Sequence, residues 1–337
     1  MALRGAIIGT GFWSQFQIPA WQELEGVKIT SLYNRTISKA EDVGKKFGIE
    51  NIYDDFEALL KNENPDFVDI ITDVGTHAFF TKKAAQNHVN IICQKPMAPS
   101  LAVAEEMLAT CKTHKVKFFI HENFRWQAPI RAVKKLIDDG AIGEVFKGRI
   151  SFCSAFPVFD NQPFLKELEQ FIITDIGSHT LDVCRFLFGE ANSLYCVTQK
   201  VNPEIKGEDV ANVLLKMQNG IHCFVEMSYA SLLEKEAFPQ TLLLIEGNRG
   251  SLQLTNDFVI KVTIQNGTST TVVQPQMYNW LDPAYAVIHS SIVDCNRNIL
   301  EGLQGRTAET TGEDNFKTVH LVWAAYESAA TGNVIYF

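Results

Sequence analysis

The sequence predicts an α/β protein in two parts: a parallel sheet covered by helices, then a domain built around a large, mostly antiparallel sheet. Three observations carry that expectation. Up to about residue 123, short apolar runs alternate with amphipathic segments whose apolar residues recur at three and four, the pattern of successive β-α-β units. Beyond it, strand-like runs are separated by turn punctuation, in which the breaks "QNG" and "NRG" look like hairpin turns. A chain of 337 residues also exceeds what one core usually organises, so two domains are expected, 1–123 and 124–337.

The first expected strand, "GAIIG" (5–9), leads into "TGFWSQ", with Phe12 to about Glu23 as the following helix. Gly9 and Gly11 let the backbone turn tightly and approach a pyrophosphate, whose charge the helix N-terminus favours. Ser14 stands where a third glycine would complete the dinucleotide fingerprint. The same glycines also suit a plain strand-to-helix turn. The second strand, "VKITSLYN" (27–34), ends without the acid that usually meets the ribose hydroxyls of NAD. Asn34 and Arg35 stand there instead, an uncharged side chain and a guanidinium able to meet a 2′-phosphate, so NADP is favoured over NAD.

Further strands read at "DFVDIIT" (66–72), "VNIICQ" (89–94) and "KFFIHE" (117–122). Lys95 directly follows the fourth, where it can lie at the mouth of a ligand crevice or remain an ordinary surface lysine. The dense polar and aromatic set "IHENFRWQAPIR" follows the fifth. Asn123, Arg125 and Trp126 are candidate substrate contacts there, with a hinge role equally open.

In the second part a helix reads from Pro129 to about Asp139 and another from Asp175 to Phe188, stopped by Gly189. Asp175, His179 and Asp182 are spaced four and three and would share one helix face, with Gly177 and Ser178 keeping the first turn slim. Three chemistries fit: a metal site, a general base at His179, or a helix cap beside an ordinary buried histidine. Strand-like runs then extend from "NSLYCVTQ" to "DFVIKVTIQ", and helices near 284–302 and 315–331 close the chain.

Composition narrows the partners. Hydrophobic residues are 46% and charged residues 20%, an ordinary globular balance. A net charge of -9 without a dense Lys/Arg cluster argues against nucleic acid and anionic membranes and favours small ligands. Seven scattered cysteines without a CxxC pair indicate neither a disulfide framework nor a zinc ribbon. No long apolar leader opens the sequence and no run approaches the roughly 18 apolar residues of a membrane span, so a cytoplasmic protein is expected.

Taken in order, "GAIIGTGFWSQ", "VDIITDVGTHAFF", "QKP", the D-x-G-x-H-x-x-D run "DIGSHTLD" and the tail "TAETTGEDNFKTVHLVWAAYESAATG" resemble the Gfo/Idh/MocA oxidoreductases over nearly the whole chain. Gln94 departs from the family's glutamate, and "TDVGTH" from its proline-rich turn. The resemblance implies a Rossmann domain followed by an α/β domain whose open sheet packs subunits into dimers or tetramers. It implies hydride transfer between a nicotinamide and a sugar or polyol, a branched pentose among the options. Lys95, Asp175 and His179 would be the catalytic set, with Asp175 and His179 also touching substrate. Cofactor contacts are implied at Gly9, Gly11, Phe12, Trp13, Asn34, Arg35, Thr72, His77, Gln94 and Lys95, and the segment "YNWLD" (278–282) joins the candidate sugar contacts. Asp182 is implied to position the helix, and no metal is expected because Lys95 would supply the electrophile. A non-catalytic dinucleotide sensor and an NAD-dependent glycosidase are the alternatives.

Overall fold

The computed structural model describes residues 2–337. The first part runs β1 (Leu3–Ile8), α1 (Ser14–Gln22), β2 (Val27–Tyr33), α2 (Ile37–Phe47), β3 (Asn51–Tyr53), α3 (Phe56–Glu63), β4 (Phe67–Ile70), α4 (Val74–Gln86), β5 (Asn90–Gln94), α5 (Leu101–His114) and β6 (Phe118–His121). The strands form one wholly parallel sheet of six, ordered β3-β2-β1-β4-β5-β6. Ile7 and Ile8 on β1, Val68 and Ile70 on β4, and Ile91 and Ile92 on β5 are all inaccessible, because helices cover both faces. The strand order reverses between β1 and β4, and ligands of such sheets bind beyond the carboxyl ends at that reversal.

The chain continues through α6 (Ala128–Asp138), β7 (Val145–Cys153), α7 (Val158–Asn161), α8 (Ser178–Phe188), β8 (Ala191–Gln199), β9 (Val210–Met217), β10 (His222–Ser228), β11 (Leu242–Gly247), β12 (Gly250–Thr255), β13 (Val259–Ile264) and β14 (Gly267–Val272). It ends with α9 (Ala286–Leu303), α10 (Gly312–Thr331) and β15 (Ile335–Tyr336). The second sheet has nine strands, ordered β14-β13-β12-β11-β7-β10-β9-β8-β15. Every pairing in it is antiparallel except β7 with β10. Helix α8 packs on β7 and β10. The approach is close at Gly148, where a Cβ would stand 2.5 Å from the Phe188 ring, so only glycine fits.

Two compact units result: residues up to Asn123 together with Met277–Val319, and Phe124–Gln276 together with His320–Phe337. A second domain running unbroken from 124 to 337 is therefore not what forms. The physical reason is the apolar face of α9. Ile292 and Val293 bury against Ala20 of α1, with Trp13, Phe16, Leu24, Tyr278 and Trp280 packed around them. Polar anchors add to this: the Lys117 ammonium donates to the carbonyls of Gly302 (2.7 Å) and Leu303 (2.9 Å), capping the end of α9. Strands β3, β7, β14 and β15 lie outside the runs legible in the sequence.

Candidate active site

In the first unit the glycine turn is built as a dinucleotide cradle requires. Gly9 sits at φ +108°, and a Cβ there would meet Thr72 Cγ2 at 3.0 Å and the Ile71 carbonyl at 3.1 Å. At Gly11 a Cβ would meet nothing within 4 Å, so the backbone is open to an approaching group. Ser14, fully buried, replaces the third glycine by folding its hydroxyl onto the Gly11 carbonyl at 2.7 Å. The first turn of α1 has no side-chain cap and no acidic residue, which leaves its N-terminus favourable to an anion. Thr10 Oγ1 is buried without a hydrogen-bond partner among the described residues. These features fit a pyrophosphate. Phe12 is exposed and Trp13 half-buried, their rings edge to face with centroids 5.6 Å apart.

Asn34 pins the neighbouring loop at both ends of its amide, accepting from the Thr10 N–H at 3.4 Å and donating to the Thr36 carbonyl at 3.0 Å. Arg35 is exposed. His77 is buried in α4, with Nε2 3.1 Å from the Thr72 carbonyl and Nδ1 3.3 Å from the Met97 carbonyl. Burial pushes its imidazole below the usual range. It therefore ties the segment after β4 to the one after β5. Thr72 and Lys95 stand on those two segments, with Gln94 and Lys95 half-buried at the carboxyl end of β5. Lysine is held there because the strand end is a rim, where a charged head and an aliphatic stem can both be satisfied.

In the second unit Asp175 and His179 lie on a helix that changes type between them. Ile173–Gly177 form a π-helical turn, and the α-helix α8 begins at Ser178. The wide turn, of a kind frequent at functional sites, takes Asp175 out of the α-helical register that the four-and-three spacing assumes. His179 is 5% exposed, its ring stacked on Phe124 at 3.7 Å and 7°, which fixes the imidazole plane and leaves its nitrogens to set direction. Gly177 packs inward, where a Cβ would stand 3.0 Å from Ile173 Cγ2, so its smallness serves packing and not ligand access.

Several residues expected to meet ligand also make contacts within their own units. His77 is one. Asn123 donates to Ser291 Oγ at 2.8 Å and to the Ile288 carbonyl at 3.3 Å, anchoring α9. Arg125 forms a two-pronged ion pair with Asp182, at 2.7 and 2.6 Å, both side chains buried. Trp126 has Arg131 over its ring at 4.4 Å, and "YNWLD" packs on α1, with Trp280 donating to Glu23 at 2.9 Å. No group of three or more His, Cys, Asp and Glu side chains arranged to hold a metal is found among the described residues.

Tyr229 was not legible from the sequence. Its hydroxyl is hydrogen-bonded to the Asp175 carboxylate, and burial, with Asp175 beside it, pushes the phenol well above its usual range. Its ring lies parallel to that of Phe171, 5.7 Å away. The only signal in the sequence is position, one residue beyond an alternating strand.

Comparison with known proteins completes the picture. The family model described as "Oxidoreductase family, NAD-binding Rossmann fold" matches residues 3–122, and that for the "GFO/IDH/MocA C-terminal domain" matches 130–253. The chain is 44% identical to D-apiose dehydrogenase of Rhizobium rhizogenes over 334 residues, covering 99% of this chain and 97% of that one. It is 42% identical to D-apiose dehydrogenase of Paraburkholderia graminis, covering 98% and 89%. An oxidoreductase from Agrobacterium radiobacter, crystallised with NAD+, L-tartaric acid and magnesium, superposes with a TM-score of 0.97 at 43% identity, covering 100% and 98%. Matched in both its parts by family models and along almost its whole length by these relatives, the chain belongs to the Gfo/Idh/MocA oxidoreductase family.

Proposed function

We propose that this protein is an NAD-dependent sugar dehydrogenase, that D-apiose or a similar small branched sugar is its substrate, and that Lys95, Asp175 and His179 carry the reaction. The observation that carries the substrate class is the 42–44% identity to D-apiose dehydrogenases over 98–99% of the chain. NAD is preferred to NADP because Arg35, the one cation in the reading toward NADP, is an exposed side chain and the Asn34 amide is engaged with Thr10 and Thr36, while the similar Agrobacterium oxidoreductase was crystallised with NAD+.

The cofactor would be held by the Gly9–Gly11 turn and the N-terminus of α1, with Thr10 Oγ1 ready to donate. When bound, NAD supplies the acceptor for the hydride that leaves the sugar carbon. His179 takes the hydroxyl proton, a task suited to an imidazole because its ordinary titration range lies near neutrality. Lys95 donates a hydrogen bond to the reacting oxygen and stabilises its developing negative charge. Asp175, steadied by Tyr229, binds a further hydroxyl or orients His179.

A homodimer or homotetramer is supported by one face of the nine-stranded sheet. Tyr195, Leu214 and Phe224 stand side by side in register on β8, β9 and β10 and are 38%, 42% and 49% exposed, more apolar surface than water favours. Seven free cysteines support a reducing, cytoplasmic compartment.

The test is a turnover screen of NAD and NADP, each against D-apiose, other aldoses, inositols and sugar acids, followed by nicotinamide absorbance. NADH formation with D-apiose is the expected result. A blank panel with intact cofactor binding overturns the substrate class. His179→Ala and Lys95→Met should each lower kcat by about 10²–10⁴ while cofactor still binds.

A further inference from the structure

The turn that carries Asp175 has no cap of its own. Neither Ile172 before the π turn nor Gly177 before α8 offers a side-chain hydrogen bond to the backbone. The orphan N–H groups of the first turn are met from elsewhere in the second unit. The Glu208 carboxylate accepts from the N–H groups of Phe171 and Ile173, at 3.2 Å each, and the Glu208 carbonyl accepts from Ile172 N–H at 3.2 Å. Tyr326 Oη accepts from Thr174 N–H at 3.1 Å and donates to Glu208 Oε1 at 2.9 Å. Four consecutive amides, 171 to 174, are thus fixed by two residues remote in sequence, the nearest pairing being 35 positions apart.

Both are themselves held. Glu208 belongs to the segment between β8 and β9. Asp209, next to it, accepts from the N–H groups of Val201 (2.7 Å) and Asn202 (2.9 Å). Gly207 allows that segment to lie against the chain at Leu168, where a Cβ would stand 2.6 Å from the carbonyl oxygen. Tyr326 projects from α10, and burial together with Glu208 pushes its phenol upward, so it keeps the proton it donates.

A serine or aspartate at the cap position would satisfy such a helix end locally. A carboxylate and a phenol brought from two other elements do more, because they fix where a π turn stands, and a π turn differs from the α form by one residue of hydrogen-bond register. We propose that Glu208 and Tyr326 are positioning residues for Asp175, setting the register of the turn and so the direction in which its carboxylate is presented. This rests on the assignment of Asp175 to the reaction.

The experiment uses the full-length enzyme with NAD and D-apiose, comparing Tyr326→Phe and Glu208→Gln with the unaltered protein. The readouts are kcat, both KM values, the isotope effect with D-apiose deuterated at the oxidised carbon, and hydrogen exchange at residues 171–176. The expected result is a kcat lowered about 10- to 100-fold, KM for NAD within about twofold, a larger isotope effect, and faster exchange confined to the turn. Glu208→Gln, which keeps an acceptor, should lose less than Glu208→Ala. A lowered melting temperature with unaltered kcat and isotope effect overturns the proposal, as does unaltered exchange at the turn. Asp175→Asn separates the two levels. If it retains normal turnover, the catalytic assignment fails and takes the proposal with it; if it is impaired while Tyr326→Phe is not, the proposal alone fails.

Discussion

Asp69 and Asp182 are both fully buried carboxylates, one in each unit, and their surroundings differ in kind. Asp182 on α8 faces the fork of Arg125, with Arg185 at 3.8 Å behind it. Among the described residues, Asp69 on β4 has only neutral donors, the Trp21 indole N–H at 2.7 Å and the Gln17 amide at 2.8 Å, and its Oδ1 has no partner. Burial pushes Asp69 up to about 6, the two donors only partly opposing it. A buried carboxylate matched by a guanidinium is an anchor whose charge the fold depends on. One matched by dipoles alone is a charge that the fold tolerates at a cost.

The largest effect expected from that contrast is at the anchor. Arg125→Met leaves Asp182 buried without its closest cation, with Arg185 farther off at 3.8 Å, and should destabilise the protein by about 3–5 kcal/mol in urea unfolding, since breaking a buried pair strands its partner. Adding Asp182→Leu should recover most of the loss. A double variant as unstable as the single one would show that the guanidinium stabilises by packing on Phe186, 5.7 Å from its ring, and not by charge.

The same contrast shows what sequence patterns make legible. Asp182 drew notice because it falls in a run with His179 and Asp175; Asp69 did not, because one acid in "DFVDIIT" reads as a strand interruption. The parallel sheet and the hairpins were legible since their signals are local: apolar runs, helical periodicity, Asn-Gly and Arg-Gly turns. The return of α9 to the first unit depends on Ile292 meeting Ala20, a pairing that no local pattern encodes. Strand β7 is masked by Lys147, Gly148 and Arg149, although its outward-inward alternation is intact and Gly148 is there for the Phe188 ring. Within the proposed site, Gly9 and Gly11 were legible by residue type and position, and Lys95, Asp175 and His179 as a set only through the family resemblance. The π turn was not, because a changed hydrogen-bonding step leaves no signature in residue type, and for the same reason Glu208 and Tyr326 carried no mark.

The second effect is at Asp69. Its folded pKa, about 6, lies above the unfolded value near 3.8, so the protonated form stabilises the fold, fully below pH 3.8, and that contribution is lost as pH rises through 6. A carboxyl raised that far carries a penalty of about 3 kcal/mol at pH 8, where it is ionised. Asp69→Asn removes the charge and adds an amide donor to a cluster in which Gln17 Oε1 lacks a partner among the described residues. The variant should be more stable than the unaltered protein by about 1–3 kcal/mol at pH 8, with the advantage gone at pH 4. A variant less stable at pH 8 would mean that Asp69 is held as an anion by design, and the contrast with Asp182 would collapse.

The smallest effect sharpens the comparison from the donor's side. Trp21 is 1% exposed and packs on Phe67 with ring centroids 5.2 Å apart, so Trp21→Phe loses packing at every pH. It also removes the shortest hydrogen bond to Asp69, one that pulls that carboxyl's pKa down. A bond to a charged acceptor contributes about 1.5–3 kcal/mol and one to a neutral acceptor about 0.5–1.5, so the cost of the substitution should be roughly 1 kcal/mol greater at pH 8 than at pH 4. The packing loss cancels in that difference, which therefore reports the charge state of Asp69 directly. Equal cost at both pH values would place Asp69 in one protonation state throughout, whereas the expected divergence, with a midpoint moved above 6, identifies the indole as the group that keeps an unmatched carboxylate tolerable beside α1.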